Sequence, residues 1–471
     1  MAINKDVSIM APGMIISVED ALALRRNEVV ALHKNYGNSG LAALFGLVNF
    51  DRQFVRASGT RIWDSDGEEF IDFVGAFGAM NLGHNHPRVL EALDKVREMP
   101  NLIPSSLPTM LAAMMHNLAI ITPGRLKRTF HCNSGTEAVE GALKLARAAT
   151  GRTGFIYCHN SFHGKTFGSL SVTGRDKYRK SFEPLLPGCT EVPFGDAEAL
   201  GKALITYKPA AFIVEPIQGE GGVIVPPPGY LAEAARLCKE RGVLFIADEI
   251  QTGFGRTGTM FACQYEKVEP DIMCLAKSLG GGVEPIGALI TTDEIWNKAY
   301  GSIDKALLHT STFNGNTRAT AAAVAAIEVI INENLPSRAA ENGAYLISEL
   351  QQMQKKYSLI KEVRGRGLLI GVEFAKPSGL ANKLTFGMAS KLSDEYLGSM
   401  IAGKLLNQHH IMTVYTLNNP NVIRLEPPLT VTREEIDRLL NAMDDTLKNH
   451  KGLVSFAASS AGTAIKSFRR K

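Results

Sequence analysis

The chain has 471 residues, and its 45% hydrophobic and 21% charged content is ordinary for a soluble globular enzyme. That length exceeds one simple core and predicts two or three domains. A net charge of +4 is too small to argue for nucleic-acid binding. The six cysteines lack CxxC spacing, so neither a zinc site nor a redox pair is expected. No apolar stretch is long enough for a signal peptide or a membrane span, so we expect a cytoplasmic protein without a membrane partner.

The first part of the chain, residues 1–69, is predicted to be an N-terminal segment that is helical up to about residue 58. The stretch 59–73 reads as a hairpin, because apolar-rich runs flank a DSDG turn. A strand end, a turn and a helix are predicted over 131–150. The buried stripe of that helix has helical spacing and consists of Val139, Ala142, Leu143 and Ala146.

Short apolar runs then alternate with helix-like stretches such as 229–242. Such continuous runs are typical of buried, mostly parallel strands. The predicted strands are 155–159, 210–216, 243–249, 272–277 and 288–292. We therefore expect a large α/β domain over residues 70–315.

The remaining chain predicts a smaller C-terminal α+β domain over residues 316–454, followed by a tail at 455–471. It begins with a long helix over 317–335 and contains two strands, at 367–374 and 421–428. A last helix over 430–450 opens with a capping box formed by Thr432 and Glu435.

The motif NSGTEA places Ser134, Gly135 and Thr136 at the start of the helix in 131–150. Free N–H groups and the helix dipole favour an anion such as phosphate there, and a plain N-cap is the alternative. No GxxxxGK[ST] motif is present, which argues against a nucleoside triphosphate site.

Two further residues follow predicted parallel strands, at the edge where such sheets bind ligands. Asp248 ends the strand in 243–249, and Lys277 ends the next one, just before Gly280–Gly282. A lysine in an apolar site has a lowered pKa and can form a Schiff base. The phosphate site, the lysine and the carboxylate together predict pyridoxal phosphate.

The ordered motifs of nearly the whole chain resemble those of the class III (ω-amino) aminotransferases, of pyridoxal-phosphate fold type I. The motifs are NSGTEAVEGALKLAR, SFHGKTFGSLSVTG, EPIQGEGGVIVPPPGYL, ADEIQTGFGRTG, AKSLGGG, HTSTFNGN and VIRLEPPLT. The resemblance implies a large domain with a mostly parallel seven-stranded sheet, a smaller C-terminal domain, and a homodimer. It leaves open whether dimers pair further.

The resemblance also implies roles for cofactor-binding residues. Lys277 would be the Schiff-base lysine and proton carrier, and Asp248 would pair with the pyridine nitrogen. Gly135 and Thr136 would hold the phosphate next to Ser134. Thr312 of HTSTF would reach the cofactor of the partner subunit.

Further residues would surround the ring and the substrate. Phe162 would stack on the ring with His163 beside it, and Gln251 would lie near the ring hydroxyl. Glu220 and Arg424 resemble a switch pair, in which the arginine binds the α-carboxylate of glutamate or 2-oxoglutarate and the glutamate neutralises it for a plain amine. Simpler alternatives are a core phenylalanine and a structural ion pair.

One departure bears on the substrate: the motif HGKT has Lys165 where many relatives that bind an amino-acid carboxylate have arginine. Arginine binds a carboxylate through two parallel N–H groups, whereas lysine is a point charge, so the lysine favours a donor without a carboxylate. Together with motifs similar to those of putrescine-specific members, this predicts transamination of a diamine, putrescine or cadaverine, with 2-oxoglutarate. An acetylornithine, ornithine or other ω-amino acid aminotransferase is the main alternative. A decarboxylase or an aminomutase of the same fold is another.

Overall fold

The computed structural model describes residues 15–47, 50–375 and 388–448, so the predicted tail at 455–471 lies outside the described residues. The described chain forms three sheets surrounded by helices. The strands are β1 Phe54–Ser58, β2 Arg61–Asp64, β3 Glu69–Asp72, β4 Leu126–Cys132, β5 Phe155–Cys158, β6 Cys189–Val192, β7 Ala211–Val214, β8 Leu244–Asp248, β9 Ile272–Leu275, β10 Gly287–Thr292, β11 Ile360–Arg366, β12 Leu369–Phe374, β13 Ile411–Met412, β14 Val414–Tyr415 and β15 Val422–Leu425.

The α-helices are found before, between and after these strands. They are Val18–Leu22, Arg26–Tyr36, Ser39–Leu47, Pro87–Lys95, Thr109–Ile121, Gly135–Thr150, Phe167–Ser171, Asp176–Arg179, Ala197–Tyr207, Tyr230–Arg241, Asp293–Tyr300, Thr317–Asn332, Leu335–Lys356, Met388–His409 and Arg433–Lys448. None of the helices in the described part of the chain is long and apolar enough to span a membrane.

The largest sheet has seven strands in the order β4-β10-β9-β8-β7-β5-β6, which confirms the predicted seven-stranded sheet. Strand β10 is antiparallel to both neighbours, and the other pairs are parallel. The five apolar runs became β5 and β7–β10. The two edge strands, β4 and β6, did not stand out in the sequence because polar residues on them face solvent.

The parallel strands bring their carboxyl ends to one edge of this sheet. Asp248 on β8 lies in register with Cys274 on β9, and Lys277 follows three residues later. Val214 on β7 lies in register with Ala247, so Glu215 emerges at the same edge. Strand β4 points the same way and leads into the helix Gly135–Thr150. The topology therefore gathers the predicted site residues in one place.

A four-stranded antiparallel sheet, β11-β12-β15-β14, forms the centre of the smaller C-terminal part. Its last helix begins with the predicted capping box: the backbone N–H of Glu435 donates to Thr432 Oγ1 at 3.2 Å, and that of Thr432 donates to Glu435 Oε2 at 3.0 Å. Strand β15 leads out of this sheet towards the edge of the seven-stranded sheet and carries Arg424.

The third sheet has the strand order β1-β2-β3-β13. It joins an early and a late part of the chain, because β13 pairs in parallel with β3. Strands β2 and β3 form the predicted hairpin. The expectation of a helical segment up to residue 58 is wrong over Phe54–Ser58, which pairs with β2 as a strand. Strand β3 runs through the predicted boundary at 69/70, and the domain boundaries stay a prediction.

Candidate active site

A cavity of about 640 Å³ opens at the carboxyl edge of the seven-stranded sheet. Ten of the twelve predicted site residues line it: Ser134, Gly135, Thr136, Phe162, His163, Lys165, Glu220, Asp248, Gln251 and Lys277. The other two are Arg424, which lies behind Glu220, and Thr312, which does not belong to the lining within the described residues. Ten residues that the sequence singled out thus lie around one cavity.

Lys277 stands where β9 ends and a short 3-10 helix, Lys277–Gly280, begins. Its φ of 51° lies in the left-handed region, which costs a non-glycine residue about 1 kcal/mol or more. Burial lowers the pKa of the Lys277 ammonium, although the carboxylates of Glu426 and Glu220 oppose that effect. The backbone strain and the lowered pKa both suit an amine that must act as a nucleophile.

Asp248 is buried at the end of β8 and pairs with His163 on the neighbouring loop. His163 Nδ1 lies 2.7 Å from Asp248 Oδ2, and the backbone N–H of Ile250 donates to Oδ1 at 3.1 Å. His163 Nε2 is buried and has no hydrogen-bond partner among the described residues. Asp248 is therefore held in a fixed orientation at the cavity wall. The adjacent Glu249 binds the N–H groups of Ala262 and Cys263 instead, which makes it structural.

Glu215 is a lining residue that sequence reasoning missed. It follows β7 directly, and its two oxygens accept the backbone N–H groups of Phe162 at 2.8 Å and Gly219 at 3.2 Å. Burial raises the pKa of the Glu215 carboxyl to about 7, and neighbouring His163 partly opposes the rise. The rule that selected Asp248, an acid at the carboxyl end of a parallel strand, also selects Glu215.

The start of the helix Gly135–Thr150 forms another wall of the cavity. Ser134 is its N-cap, and its side chain accepts the N–H of Glu137 at 3.3 Å. Thr136 Oγ1 lies 2.7 Å from Ser169 Oγ, and a Cβ added to Gly164 would lie only 2.4 Å from that same Thr136 oxygen. The glycine keeps the neighbouring loop against the helix start, whose first N–H groups lack intrahelical partners.

Arg424 is fully buried between two carboxylates. Its Nη1 donates to Glu220 Oε1 at 2.6 Å, and its Nε lies 3.0 Å from Glu426 Oε2. Burial opposes the charge of Arg424, but Glu220 and Glu426 outweigh burial and raise its pKa. Burial also acts against the Glu220 carboxylate, but Arg424 and the N–H of Leu417 lower its pKa overall. Burial raises the pKa of Glu426.

Gln251 connects this cluster to a loop over the cavity. Its Nε2 donates to Phe77 O at 3.1 Å and to Glu426 Oε2 at 3.2 Å. The loop 75–78 has positive φ at all four residues, and the Phe77 ring lies 5.2 Å from the Arg424 guanidinium carbon. The expected contact of Gln251 with a ring hydroxyl stays a prediction.

Phe162 and Lys165 come from the loop that follows β5. Lys165 Nζ lies 6.0 Å from the centre of the Phe162 ring and 4.9 Å from that of Tyr178. Lys165 is exposed, so its charge is free to meet a ligand at the cavity mouth. Thr312 is exposed in the loop before the helix Thr317–Asn332, and its contact with a partner subunit stays a prediction.

These residues fit pyridoxal phosphate. The cavity combines a lysine that burial makes less basic, a buried carboxylate held by a histidine with an unpartnered nitrogen, and a helix start closed by glycine. Lys277 would hold the aldehyde carbon, Asp248 the pyridine nitrogen, and Ser134, Gly135 and Thr136 the phosphate.

Residues 47–447 match the family model of the class III aminotransferases. The aminotransferase PigE of Serratia sp. (strain ATCC 39006) is 39% identical over 450 residues, which cover 88% of this chain and 53% of that protein. The chain thus spans about half the length of this curated relative.

Solved structures give the same result. The ornithine aminotransferase of Toxoplasma gondii ME49 is 32% identical, with a TM-score of 0.80 over 94% of this chain and 98% of that one. An acetylornithine aminotransferase of Elizabethkingia anophelis is 30% identical, with a TM-score of 0.74 over 91% and 100%. An amine transaminase from an uncultivated Pseudomonas species, solved with pyridoxal phosphate bound, is 30% identical, with a TM-score of 0.74 over 84% and 94%. The chain therefore belongs to the class III aminotransferases, which depend on pyridoxal phosphate.

Proposed function

We propose that this aminotransferase takes its amino group from a diamine, putrescine or cadaverine, and passes it to 2-oxoglutarate. The products are an aminoaldehyde, which cyclises, and glutamate. The Glu220–Arg424 ion pair carries the proposal, because it neutralises the arginine that would otherwise attract the carboxylate of an amino-acid donor. Lys165, in the cavity lining, offers such a carboxylate only a point charge.

Pyridoxal phosphate, when bound, supplies an aldehyde carbon that takes up the amine and a ring that withdraws electrons from the carbon next to it. Lys277 Nζ then acts as the base that removes the proton from the amine-bearing carbon of the donor. Its lowered pKa supports this role, because the free base is more available near neutral pH. Asp248 would pair with the ring nitrogen, and His163 keeps its carboxylate in place.

The Glu220–Arg424 ion pair supports a donor without an α-carboxylate. With both groups paired at 2.6 Å, a plain amine enters beside a neutralised arginine. For the second half of the reaction, Glu220 must leave Arg424 so that the guanidinium can bind the α-carboxylate of 2-oxoglutarate. Lys165 would meet the distal carboxylate, and its position in the cavity lining supports this role.

We further propose that the active unit is a homodimer in which Thr312 reaches the cofactor site of the other subunit. The exposure of Thr312 supports this arrangement. Large apolar side chains are also exposed on the loop before it, namely Ile303, Leu307 and Leu308.

An ω-amino acid donor is the second candidate, because the solved relatives include ornithine and acetylornithine aminotransferases. Such a donor carries a carboxylate at the end away from the reacting amine. It would need a cation at the cavity mouth, where Lys165 offers a point charge rather than the bidentate hydrogen bonds of an arginine.

A donor and acceptor screen on the purified, cofactor-loaded protein tests the proposal. Putrescine, cadaverine, ornithine, N-acetylornithine and 4-aminobutyrate are offered with 2-oxoglutarate or pyruvate, and glutamate or alanine formation is measured. We expect the highest kcat/KM for a diamine with 2-oxoglutarate. A higher value for ornithine or N-acetylornithine would move the assignment to the second candidate. Release of carbon dioxide, or turnover without an oxo acid, would indicate another reaction class.

A further inference from the structure

Arg424 has a second carboxylate partner that the Glu220 switch does not account for. Glu426 is fully buried, and its Oε2 lies 3.0 Å from Arg424 Nε. The two groups form an ion pair but not a hydrogen bond, because the Nε–H does not point at this oxygen. The same oxygen accepts Gln251 Nε2 at 3.2 Å. Glu426 Oε1 has no hydrogen-bond partner among the described residues, and neither has Arg424 Nη2.

The surroundings hold Glu426 in place. Its backbone N–H donates to Phe73 O at 2.9 Å. A Cβ on Gly75 would lie 2.1 Å from the backbone oxygen of Glu426, and one on Gly78 would lie 2.7 Å from its Oε1. Both glycines have positive φ, so the loop is shaped to pass closely over this carboxylate.

Glu220 sits in a different setting. It belongs to the turn 219–222, which contains three glycines, and its carboxylate is held by Arg424 Nη1 and by the N–H of Leu417. Glu220 lines the cavity, whereas Glu426 does not belong to the lining. An incoming carboxylate therefore competes with Glu220 but leaves Glu426 where it is.

We propose that Glu426 is a fixed second counter-ion of Arg424, which weakens the hold of the arginine on the α-carboxylate of the 2-oxo acid and of the amino-acid product. This rests on the proposed role of Arg424 as the carboxylate site. When Glu220 leaves, the ligand carboxylate faces one cation that is already balanced by one buried anion. The bound state then has three carboxylates near one guanidinium, those of the ligand, Glu426 and the displaced Glu220, where the free state has two, and the added repulsion limits the affinity.

The consequence is a site that releases its acidic product readily while leaving the diamine half of the reaction untouched. The donor makes no contact with a free arginine, because Glu220 covers Nη1 during that half. Glu426 thus sets the affinity for one substrate class and not for the other.

The structure offers a clean substitution. Both described contacts of the Glu426 side chain are made by Oε2, so Glu426→Gln can keep both through its amide oxygen. The new NH₂ group takes the place of Oε1. The variant therefore removes the charge with little change of shape. Glu426→Met is a second variant that removes the charge, and Glu426→Asp keeps it.

The test measures the binding of glutarate, an unreactive five-carbon dicarboxylate, to the cofactor-loaded protein by calorimetry. We expect Glu426→Gln and Glu426→Met to bind glutarate roughly tenfold tighter than wild type, and Glu426→Asp to stay within about threefold of it. Glu362→Gln is the matched control, because it removes an exposed carboxylate on β11 of the same sheet. Unchanged or weaker binding by the neutral variants would overturn the inference.

Single-turnover reactions separate this inference from the proposed function. In Glu426→Gln, the half-reaction with putrescine should keep its rate within about twofold, while the apparent affinity for 2-oxoglutarate rises. If the wild type fails to react with any diamine but the neutral variants still bind glutarate more tightly, the proposed donor fails and the role of Glu426 stands. If the diamine reacts and glutarate binding does not respond, only the role of Glu426 fails.

Discussion

Replacing Glu220 by glutamine should separate the two halves of the reaction. Glu220 Oε1 accepts Arg424 Nη1 at 2.6 Å, and its other oxygen accepts the N–H of Leu417 at 2.9 Å. A glutamine has one acceptor oxygen, so it can satisfy only one of these two donors. The variant leaves a buried arginine with one counter-ion, Glu426, instead of two.

The size of the effect follows from the charges. Two unit charges about 4 Å apart attract by about 4 kcal/mol at an effective dielectric constant of about 20. The amide that replaces Glu220 keeps one hydrogen bond, which returns about 1–1.5 kcal/mol. The remaining difference, about 2.5–3 kcal/mol, is roughly a 60- to 140-fold change in rate or affinity.

This cost should appear in the donor half-reaction, because Glu220 lines the cavity and a diamine then loses the carboxylate that faces it, whereas Glu426 does not belong to the lining. The assay is a stopped-flow single turnover of the loaded enzyme, which follows the cofactor absorbance with putrescine alone and then with 2-oxoglutarate alone. We expect kcat/KM for putrescine to fall roughly 60-fold or more, while the value for 2-oxoglutarate stays equal or rises. An equal fall in both half-reactions would refute the switch. Glu362→Gln serves as the control here as well.

Three further predictions concern the cavity residues. Lys277→Ala should abolish turnover and the visible absorbance of the lysine-bound cofactor, and Lys277→Arg should not restore either; an active variant would contradict the assignment. Asp248→Asn should lower kcat by about 100-fold or more in single-turnover assays, whereas a loss of less than tenfold would argue against its pairing with the ring nitrogen. Glu215 has a pKa raised to about 7, so its contribution to stability is present below about pH 4.5 and is lost as the pH rises through 7. Between pH 5 and pH 8, the free energy of unfolding should therefore fall by up to about 3 kcal/mol less in Glu215→Gln than in wild type. Thermal unfolding at several pH values measures this, and an equal fall in both proteins would contradict the raised pKa.

Much of the site could be predicted because its residues follow strands that are apolar throughout. The runs that became β8 and β9 are visible in the sequence, and parallel strands place Asp248 and Lys277 at one edge without further information. The helix start at Ser134–Thr136 could also be predicted, because a strand end, an N-cap and an amphipathic stripe follow one another in the sequence.

The second ion contact of Arg424, with Glu426, could not be predicted from local patterns. Glu426 stands two residues after Arg424, just past the end of β15, yet its contact with Gln251 joins positions 175 residues apart. That contact depends on the loop 75–78, where positive φ at Ala76 and Phe77 departs from ordinary preferences. Most of the edge strand β4 was missed because Lys127 and Arg128 are exposed and no continuous apolar run marks the strand.

The most direct test of the central claim is a comparison of donors in a single half-reaction. Cofactor-loaded wild-type protein is mixed with putrescine, cadaverine, ornithine or N-acetylornithine in the absence of any oxo acid, and the loss of the lysine-bound cofactor absorbance is followed with product analysis. We expect a diamine to react with the highest kcat/KM and to yield a cyclised aminoaldehyde. Faster reaction of ornithine or N-acetylornithine than of either diamine would contradict the proposed function.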